Sequence, residues 1–182
     1  MTRGRALLFA TLFCAVVVAD QVSKSVVRAT FALGESTPVI DGVLWLTHIF
    51  NTGASFGMLR GQAWFFIGTA VAVLIAIAWM LARLRPEPVF AQVGLALVAG
   101  GSTGNLIDRI AAGGVTDFID VGWWPVFNVA DIALNVGVAL VVVWVVFAPA
   151  RPEHASADDH AGPGHVAADN GSLAGRAERD VS

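Results

Sequence analysis

The sequence has 182 residues, of which 56% are hydrophobic and only 14% are charged, and its mean hydropathy is +0.70. This composition excludes an ordinary soluble globular domain and indicates a small integral membrane protein. The net charge of −3 lies in residues 151–182, which carry 3 basic and 6 acidic side chains, so the chain has no basic patch of the kind that binds nucleic acid.

The first apolar segment covers residues 6–27 and follows two arginines, Arg3 and Arg5. As a helix this segment would be about 33 Å long, which is enough to cross a bilayer. A cleaved secretory signal is the alternative, but three further apolar segments favour a membrane helix. Asp20 and Lys24 are spaced i and i+4 near its outer end. They are predicted to pair on one helical face, either within a site or as a simple interfacial ion pair.

Residues 29–62 are mixed in character and are predicted to lie outside the membrane. Residues 43–50, VLWLTHIF, are rich in β-branched and aromatic side chains and follow an Asp-Gly turn signal. They predict a short strand in a sheet on the membrane surface. Residues 51–57, NTGASFG, follow as a loop whose two glycines allow close backbone approach. His48 has no second ligand nearby, so no metal site is predicted there.

The second and third spans are predicted at residues 63–82 and 89–107. The end of the third span is rich in glycine, which lets the backbones of packed helices approach closely in lipid. Packing does not explain Asn105, Asp108 and Arg109, whose i, i+3 and i+4 spacing places them on one face. Because Asp108 and Arg109 are neighbours in sequence, they are expected to take separate partners.

The stretch from 113 to 131, GGVTDFIDVGWWPVFNVAD, carries the most unusual carboxylates of the chain. Asp117 and Asp120 lie just outside an apolar run, and Asp131 lies about one turn inside the fourth predicted span, 129–148. Carboxylates at the edge of a bilayer are costly, which makes function the default hypothesis. A solvated loop and a helix cap would explain Asp117 or Asp120 alone, whereas Asp131 argues for a site. Asp117 and Asp131 are predicted to meet as a catalytic pair.

The arginines and lysines near the span ends predict the orientation of the chain. Five basic residues fall on one side of the membrane: Arg3, Arg5, Arg83, Arg85 and Arg151. Four fall on the other side, and two of these, Lys24 and Arg109, have acidic neighbours. Both termini are therefore predicted to be inside, with the polar cluster facing outward.

Residues 151–182 are polar and acidic and are predicted to form a disordered cytoplasmic tail. The three histidines of this segment match no compact spacing of metal ligands, so no metal site is predicted in it.

The polar residues of the spans and loops leave few kinds of chemistry. No serine lies in a nucleophile elbow, no cysteine or histidine is placed for a triad, and no HExxH motif is present. Two aspartates that share a proton can activate water, because the ionised one accepts a proton while the protonated one polarises a carbonyl. An ion- or proton-coupled transporter is the alternative, since intramembrane carboxylates also build ion paths. A purely structural scaffold would leave the carboxylates unexplained.

Five short blocks occur in order along these spans and loops: DQVSK at 20–24, NTGASF at 51–56, GSTGNLIDR at 101–109, VTDFID at 115–120 and FNVAD at 127–131. Through these blocks the chain resembles the bacterial lipoprotein signal peptidases, also called type II signal peptidases, which are membrane aspartyl peptidases. The resemblance covers roughly residues 6–148. The acidic tail departs from the shorter family pattern.

The resemblance implies an all-α polytopic membrane protein with four transmembrane helices and a small extracytoplasmic β element. Residues 1–150 would form the peptidase domain and residues 151–182 the tail. The enzyme would lie in the bacterial cytoplasmic membrane as a monomer, with its active site near the extracytoplasmic face. Its partners would be diacylglyceryl-modified prolipoproteins, cut just before the lipid-modified cysteine, and membrane lipids, with no nucleic acid and neither metal nor cofactor.

The resemblance also assigns roles to residues. It implies that Asp117 and Asp131 are catalytic. It places the supporting and substrate-binding residues at Asp20, Lys24, Asn51, Gly53, Gly104, Asn105, Asp108, Arg109, Asn128 and Ala130.

Overall fold

The computed structural model describes residues 2–53, 61–83 and 88–147. Four helices in this part of the chain are long and apolar enough to cross a membrane. They are α1 (Arg3–Thr30), α2 (Ala63–Arg83), α3 (Val89–Ala112) and α4 (Val129–Phe147). The chain is therefore a mostly helical, multi-pass membrane protein, as the composition predicts. The predicted tail, residues 54–57 of the predicted loop, Arg85 and Arg151 lie outside the described residues.

Helices α1 and α3 extend beyond the predicted spans into polar sequence. The third helix continues five residues beyond the predicted end at 107, and Asp108 and Arg109 lie within it. A span predicted from hydropathy ends at charged residues such as these. The helix continues because Asp108 is buried against partners from α1, so its charge is compensated inside the protein.

Helix α3 is the centre of the bundle and packs against α1, α2 and α4. Two thirds of its apolar window, 67%, is buried, against 17% or less for each of the other three helices. Glycines allow this close packing. A Cβ atom on Gly94 would lie 2.9 Å from the carbonyl oxygen of Gly137, and one on Gly137 would lie 2.7 Å from that of Gly94. Helices α3 and α4 therefore approach backbone to backbone, as helices in lipid do through small residues.

The outward faces of α1, α2 and α4 expose large apolar side chains, among them Val18, Ile75 and Val145. In water such a surface would be unfavourable, whereas in a bilayer it is covered by lipid. The apolar core beneath it forms around Ile77, Leu95 and Val98, where α2 and α3 meet. This core holds the bundle together in the half of the molecule that carries few polar residues.

A three-stranded antiparallel sheet lies at the C-terminal ends of α1 and α3. Its strands are β1 (Ser36–Ile40), β2 (Leu44–Asn51) and β3 (Val115–Asp120), in the order β1-β2-β3. Strand β2 confirms the predicted strand at 43–50 to within one residue. Strand β3 differs from the prediction, since its residues were expected to form a loop. It forms because it pairs with β2, at separations along the chain of 68 residues for Ile49–Asp117 and 64 residues for Asn51–Val115. No local pattern of six residues indicates so distant a partner.

Candidate active site

Asp117 and Asp131 line the same cavity, as their predicted pairing requires. Asp117 lies on strand β3, and Asp131 lies in the first turn of α4. We call this space of about 760 Å³ the aspartate cavity. Most of its other lining residues are apolar and come from α2, β3, the β3–α4 connection and α4: Phe66, Val115, Val121, Trp123, Trp124, Pro125, Val126, Phe127, Ile132 and Val136. The others are Asn51, Gly53, Asn105, Arg109 and Asn135.

The Asp117 carboxylate is held by two side-chain amides. Asn51 Nδ2 donates to its Oδ2 at 2.9 Å, and Asn128 Nδ2 donates to its Oδ1 at 2.6 Å. The residue is only 3% exposed. Burial raises the pKa of Asp117 to about 6, and the negative charge of Asp131 also raises it, against the lowering effect of the two amides. Asp117 is thus a carboxyl that can hold a proton near neutral pH.

Asp131 forms a reciprocal cap with Asn128 at the start of α4. The Asp131 backbone N–H donates to Asn128 Oδ1 at 3.0 Å, and the Asn128 backbone N–H donates to Asp131 Oδ2 at 3.2 Å. This is a capping box, with Asn128 at the N-cap and the acid three residues later. The other carboxylate oxygen, Oδ1, accepts a hydrogen bond of 2.8 Å from Asn105 Nδ2. Asp131 is therefore a helix cap that also lines the aspartate cavity.

Asn128 connects the two carboxylates. Its fully buried side chain donates to Asp117, and it also donates to Asn105 Oδ1 at 3.2 Å. Its backbone and side-chain oxygen fix Asp131. Asn128 thus fixes the Asp117 carboxylate on β3 relative to the Asp131 carboxylate on α4. The two carboxylates therefore have a defined geometry before any substrate binds.

Lys24 is the centre of a buried ionic network behind the pair. Its ammonium lies 2.8 Å from Asp20 Oδ2, 3.1 Å from Asp108 Oδ2 and 2.9 Å from Asn105 Oδ1. The i, i+4 pair predicted between Asp20 and Lys24 is present, and both side chains are 0% exposed. The three ammonium donors are all used. Because Lys24 binds Asn105, which in turn binds Asp131, the network is connected directly to the site.

Asp20 joins α1 to the N-terminus of α4. Its Oδ1 accepts a hydrogen bond of 3.0 Å from the backbone N–H of Ala130, one of the unpaired amides at a helix start. A Cβ atom on Gly104 would lie 2.5 Å from Asp20 Oδ2, so only glycine leaves room for this carboxylate. The structure thereby gives a packing reason for Gly104, whereas Ala130 contributes its backbone N–H, which every residue except proline has.

Comparison with known proteins identifies the family. The family Signal peptidase (SPase) II matches residues 12–147. The chain belongs to the signal peptidase II family. It is 43% identical over 141 residues to the lipoprotein signal peptidase of Syntrophomonas wolfei, covering 78% of this chain and 94% of that protein. It is 48% identical over 137 residues to that of Geobacillus kaustophilus, covering 73% and 89%.

A solved structure of a bacterial membrane enzyme is similar in fold. It superimposes with a TM-score of 0.73 at 34% identity, over 76% of this chain and 87% of that chain. Membership of the signal peptidase II family confirms the predicted activity, an aspartic peptidase that removes signal peptides from prolipoproteins. The transporter alternative finds no support.

Three residues of the network were missed by the sequence analysis, namely Gln21, Arg28 and Thr116. Gln21 Nε2 lies within 3.3 Å of oxygens of Asp20, Gly104 and Asp108. Arg28 Nη1 donates to Thr116 Oγ1 at 3.1 Å, and the Thr116 backbone N–H donates to the carboxylate of Asp108 at 3.3 Å. The helical spacing of Arg28, one turn after Lys24, is the signal that would have found it.

Asp108 and Arg109 take separate partners, as their adjacency in sequence predicts. Asp108 is buried and binds Lys24 and the backbone of β3. Arg109 lines the aspartate cavity instead, with its guanidinium carbon 4.7 Å from the ring centroid of Phe66. It makes no ion pair with any residue in the described part of the chain. Asp108 fixes the strand that bears Asp117, whereas Arg109 presents a cation to whatever occupies the cavity.

The other predicted residues divide between the cavity and its surroundings. Asn51 and Gly53 line the cavity, and the Gly53 N–H donates to Asn51 Oδ1 at 3.0 Å, which fixes the amide that binds Asp117. Asp120 is not among the lining residues. Its carboxylate accepts hydrogen bonds from the Thr47 hydroxyl at 2.9 Å and from a backbone amide two residues later. Asp120 therefore secures the sheet and its following turn.

Among the described residues, no group of three or more His, Cys, Asp and Glu side chains is placed to hold a metal ion. His48 Nδ1 lies 2.9 Å from the carbonyl oxygen of Phe31 and anchors the end of α1 to β2. The three histidines of the predicted tail lie outside the described residues.

Proposed function

We propose that Asp117 and Asp131 are the catalytic pair of this signal peptidase, and that it cuts prolipoproteins just before a diacylglyceryl-modified cysteine. The observation that carries this proposal is the bridging of both carboxylates by Asn128 at the edge of one cavity. Two aspartates held in this way share a proton and titrate as a unit. The raised pKa of Asp117, about 6, supports this sharing.

The pair acts by general acid–base catalysis on a bound water molecule. The ionised carboxylate takes a proton from the water as its oxygen attacks the scissile carbonyl carbon. The protonated carboxyl gives its proton to the carbonyl oxygen, which produces a tetrahedral diol. The intermediate then collapses with cleavage of the carbon–nitrogen bond, and a proton passes from the pair to the departing amine. The signal peptide leaves with a free carboxyl group and the cysteine with a free amino group.

The walls of the aspartate cavity match a lipid-modified substrate. Phe66, Trp123, Ile132 and Val136 give the cavity an apolar lining next to two charged groups. Acyl chains already lie in lipid, so they gain from such walls through close packing contacts and not through transfer out of water. Arg109, on the same wall, supplies donors for the backbone carbonyls of the signal peptide. A cavity that is apolar at its sides and acidic at one edge thus selects an acylated peptide.

The site is proposed to face the extracytoplasmic side of the bacterial cytoplasmic membrane, with both termini in the cytoplasm. The basic residues Arg3, Arg5 and Arg83 lie at the ends of α1 and α2 that are remote from the sheet, which supports this orientation. We also propose that residues 1–150 act as the peptidase domain, and that one copy of the chain is sufficient. One chain supplies both carboxylates and the three amides that bind them, which supports the second proposal.

Cleavage by the purified protein in detergent tests the substrate. A prolipoprotein that carries diacylglycerol on its cysteine should be cut before that residue, without metal ions and without an ion gradient. The same prolipoprotein with an unmodified cysteine is the matched control, and it should be cut at least about tenfold more slowly, because it lacks the acyl chains that pack against the cavity walls. Equal cleavage of both substrates would show that the apolar walls do not select the lipid.

A further inference from the structure

A second cavity, of about 500 Å³, lies on the opposite face of strand β3 from the aspartate cavity. Thr116 lines the second cavity, whereas its strand neighbours Val115 and Asp117 line the first, and successive side chains of a strand point to opposite faces. The two cavities share no lining residue. We call the second one the arginine cavity, after Arg28, which lines it.

Arg28 is the charged group that this cavity exposes. Its side chain is 41% exposed, and its nearest carboxylate oxygen, on Asp108, is 3.7 Å away. The Asp108 side chain is only 5% exposed, and its oxygens accept from Lys24, Gln21 and the backbone of Thr116. The carboxylate therefore lies behind the guanidinium and is occupied. The guanidinium donates to Thr116 Oγ1 at 3.1 Å and to Ser25 Oγ at 3.2 Å, and it keeps further N–H donors at its exposed side. A planar guanidinium that is partly shielded from water is a preferred binding partner of a phosphate group.

His48 supplies a hydrogen-bond acceptor to the same cavity. Its Nδ1 lies 2.9 Å from the Phe31 carbonyl oxygen. Since a carbonyl can only accept, Nδ1 carries the proton, and in the neutral ring Nε2 is left as an acceptor. An acceptor of this kind matches a hydroxyl group rather than a second anion.

The remaining walls are apolar and continue onto a membrane helix. Ile107 and Ala111 line the cavity from the outer end of α3, one helical turn apart, and Leu33 and Phe50 line it from the sheet side. Ile107 is partly exposed and belongs to the surface that lipid covers. The cation, the acceptor and the apolar strip thus follow one another near the C-terminal ends of α1 and α3. A free phosphate ion would use only the first of these features.

We propose that the arginine cavity binds an anionic phospholipid whose headgroup carries a hydroxyl, of which phosphatidylglycerol is the simplest example. The phosphate binds the Arg28 guanidinium, a headgroup hydroxyl donates to His48 Nε2, and the first part of the acyl chains packs against Ile107 and Ala111. This site is separate from the catalytic pair, and its occupation does not depend on the proposed cleavage.

Direct lipid binding tests the proposal. The full-length protein is purified, stripped of lipid in a nonionic detergent and titrated with dioctanoyl phosphatidylglycerol, with the phosphatidylcholine of the same chain length and with inorganic phosphate. We expect one phosphatidylglycerol per chain, bound at least about tenfold more tightly than phosphatidylcholine, which has no hydroxyl donor and presents a cation to Arg28. Arg28→Gln should weaken phosphatidylglycerol binding by about tenfold or more, the loss of a charge-assisted hydrogen bond.

Two further variants make the result specific. Arg3→Gln removes the same charge from the opposite end of α1, about 37 Å away by helix rise, and should leave binding unchanged. Ala111→Phe fills the apolar part of the arginine cavity from an exposed position without touching the Arg28 contacts, and should also weaken binding. If Arg28→Gln lowers Tm, its weaker lipid binding could come from partial unfolding, and Ala111→Phe then provides the test of the cavity. Equal affinity for the two phospholipids, full binding by Ala111→Phe, or inorganic phosphate that competes as well as phosphatidylglycerol would each overturn the proposal.

Discussion

Asn128 donates a hydrogen bond of 2.6 Å to the carboxylate of Asp117 while its own side-chain oxygen caps the helix that bears Asp131. This one side chain therefore has two separable roles. Asn128→Ser should keep a helix cap, because serine is a good N-cap residue, but it removes the amide that holds Asp117. We expect kcat/KM to fall by about 10- to 100-fold, the loss of one strong hydrogen bond at the site.

Asn128→Ala is the matched variant for the cap. It removes both roles, so it should lose a similar amount of activity and, in addition, about 1 kcal/mol more stability than the serine variant. Thermal unfolding and peptide cleavage of the two variants, measured side by side, separate the roles. An active serine variant would mean that Asn51 alone is sufficient to position Asp117.

Much of this arrangement could be predicted from local sequence, and the rest depends on distant partners. The spacing of Asp20 and Lys24 within one helix predicts their pairing, and the place of Asp131 inside an apolar segment indicates its importance. Strand β3 could not be predicted in the same way, since it exists through its pairing with β2. Thr116 also binds Asp108 through its backbone N–H. Every residue except proline has this group, so the residue type at 116 does not indicate the contact.

Lys24 compensates two buried carboxylates, so its removal should be strongly destabilising. Lys24→Met keeps a similar length but leaves Asp20 and Asp108 buried with one cation fewer. Breaking a buried ion pair from one side typically costs about 3–5 kcal/mol. We expect a much lower Tm and a lower yield of folded protein. In the double variant Lys24→Met/Asp108→Asn, one of the two uncompensated charges is gone, so the double variant should be more stable than Lys24→Met alone. Additive losses would show that the network is not coupled.

Asp108 and Arg109 should give opposite phenotypes although they are adjacent in sequence. Asp108→Asn weakens the contacts to Lys24 and to β3, so it should lower Tm along with activity. Arg109→Gln alters only the wall of the aspartate cavity, so Tm should stay near that of the native protein. Its kcat/KM should fall by at least about tenfold, the loss of one charge-assisted hydrogen bond to substrate. A large fall in Tm for Arg109→Gln would instead assign that residue to the scaffold.

The raised pKa of Asp117 predicts a pH dependence of stability. The folded protein keeps the Asp117 proton up to a pKa of about 6, whereas an unfolded chain releases it near 3.8. Between these two values the folded state binds more protons, so stability falls as pH rises. The loss is at most about 3 kcal/mol, from a shift of roughly two pKa units. Asp117→Asn cannot titrate, so its Tm relative to the native protein should rise from pH 4 to pH 6 and then stay constant. A constant difference across this range would show that Asp117 is not perturbed.

The central prediction concerns the pair itself. Asp117→Asn and Asp131→Asn should each insert in the membrane and fail to cleave, because an amide can neither take a proton from water nor donate an acidic one. General acid–base assistance is typically worth about 10²–10⁴-fold. Since the two carboxylates act as one unit, the double variant should be about as inactive as either single variant. The native protein should show a bell-shaped dependence of kcat/KM on pH, whose alkaline limb reports the loss of the shared proton from a pair in which the pKa of Asp117 is raised.

Asp120→Asn is the internal control, since it lies on the same strand, three residues from Asp117. Its carboxylate binds Thr47 and a turn amide and does not line the aspartate cavity, so this variant should retain most of its activity. Each Asn variant must also be compared by Tm, because an asparagine at 117 would turn its own amide towards the amide of Asn51 or of Asn128. An inactive variant with a native-like Tm then identifies a chemical role. Substantial cleavage by Asp117→Asn or Asp131→Asn at matched protein level would reject the pair, and a dead Asp120→Asn would move the catalytic role to the other carboxylate of β3.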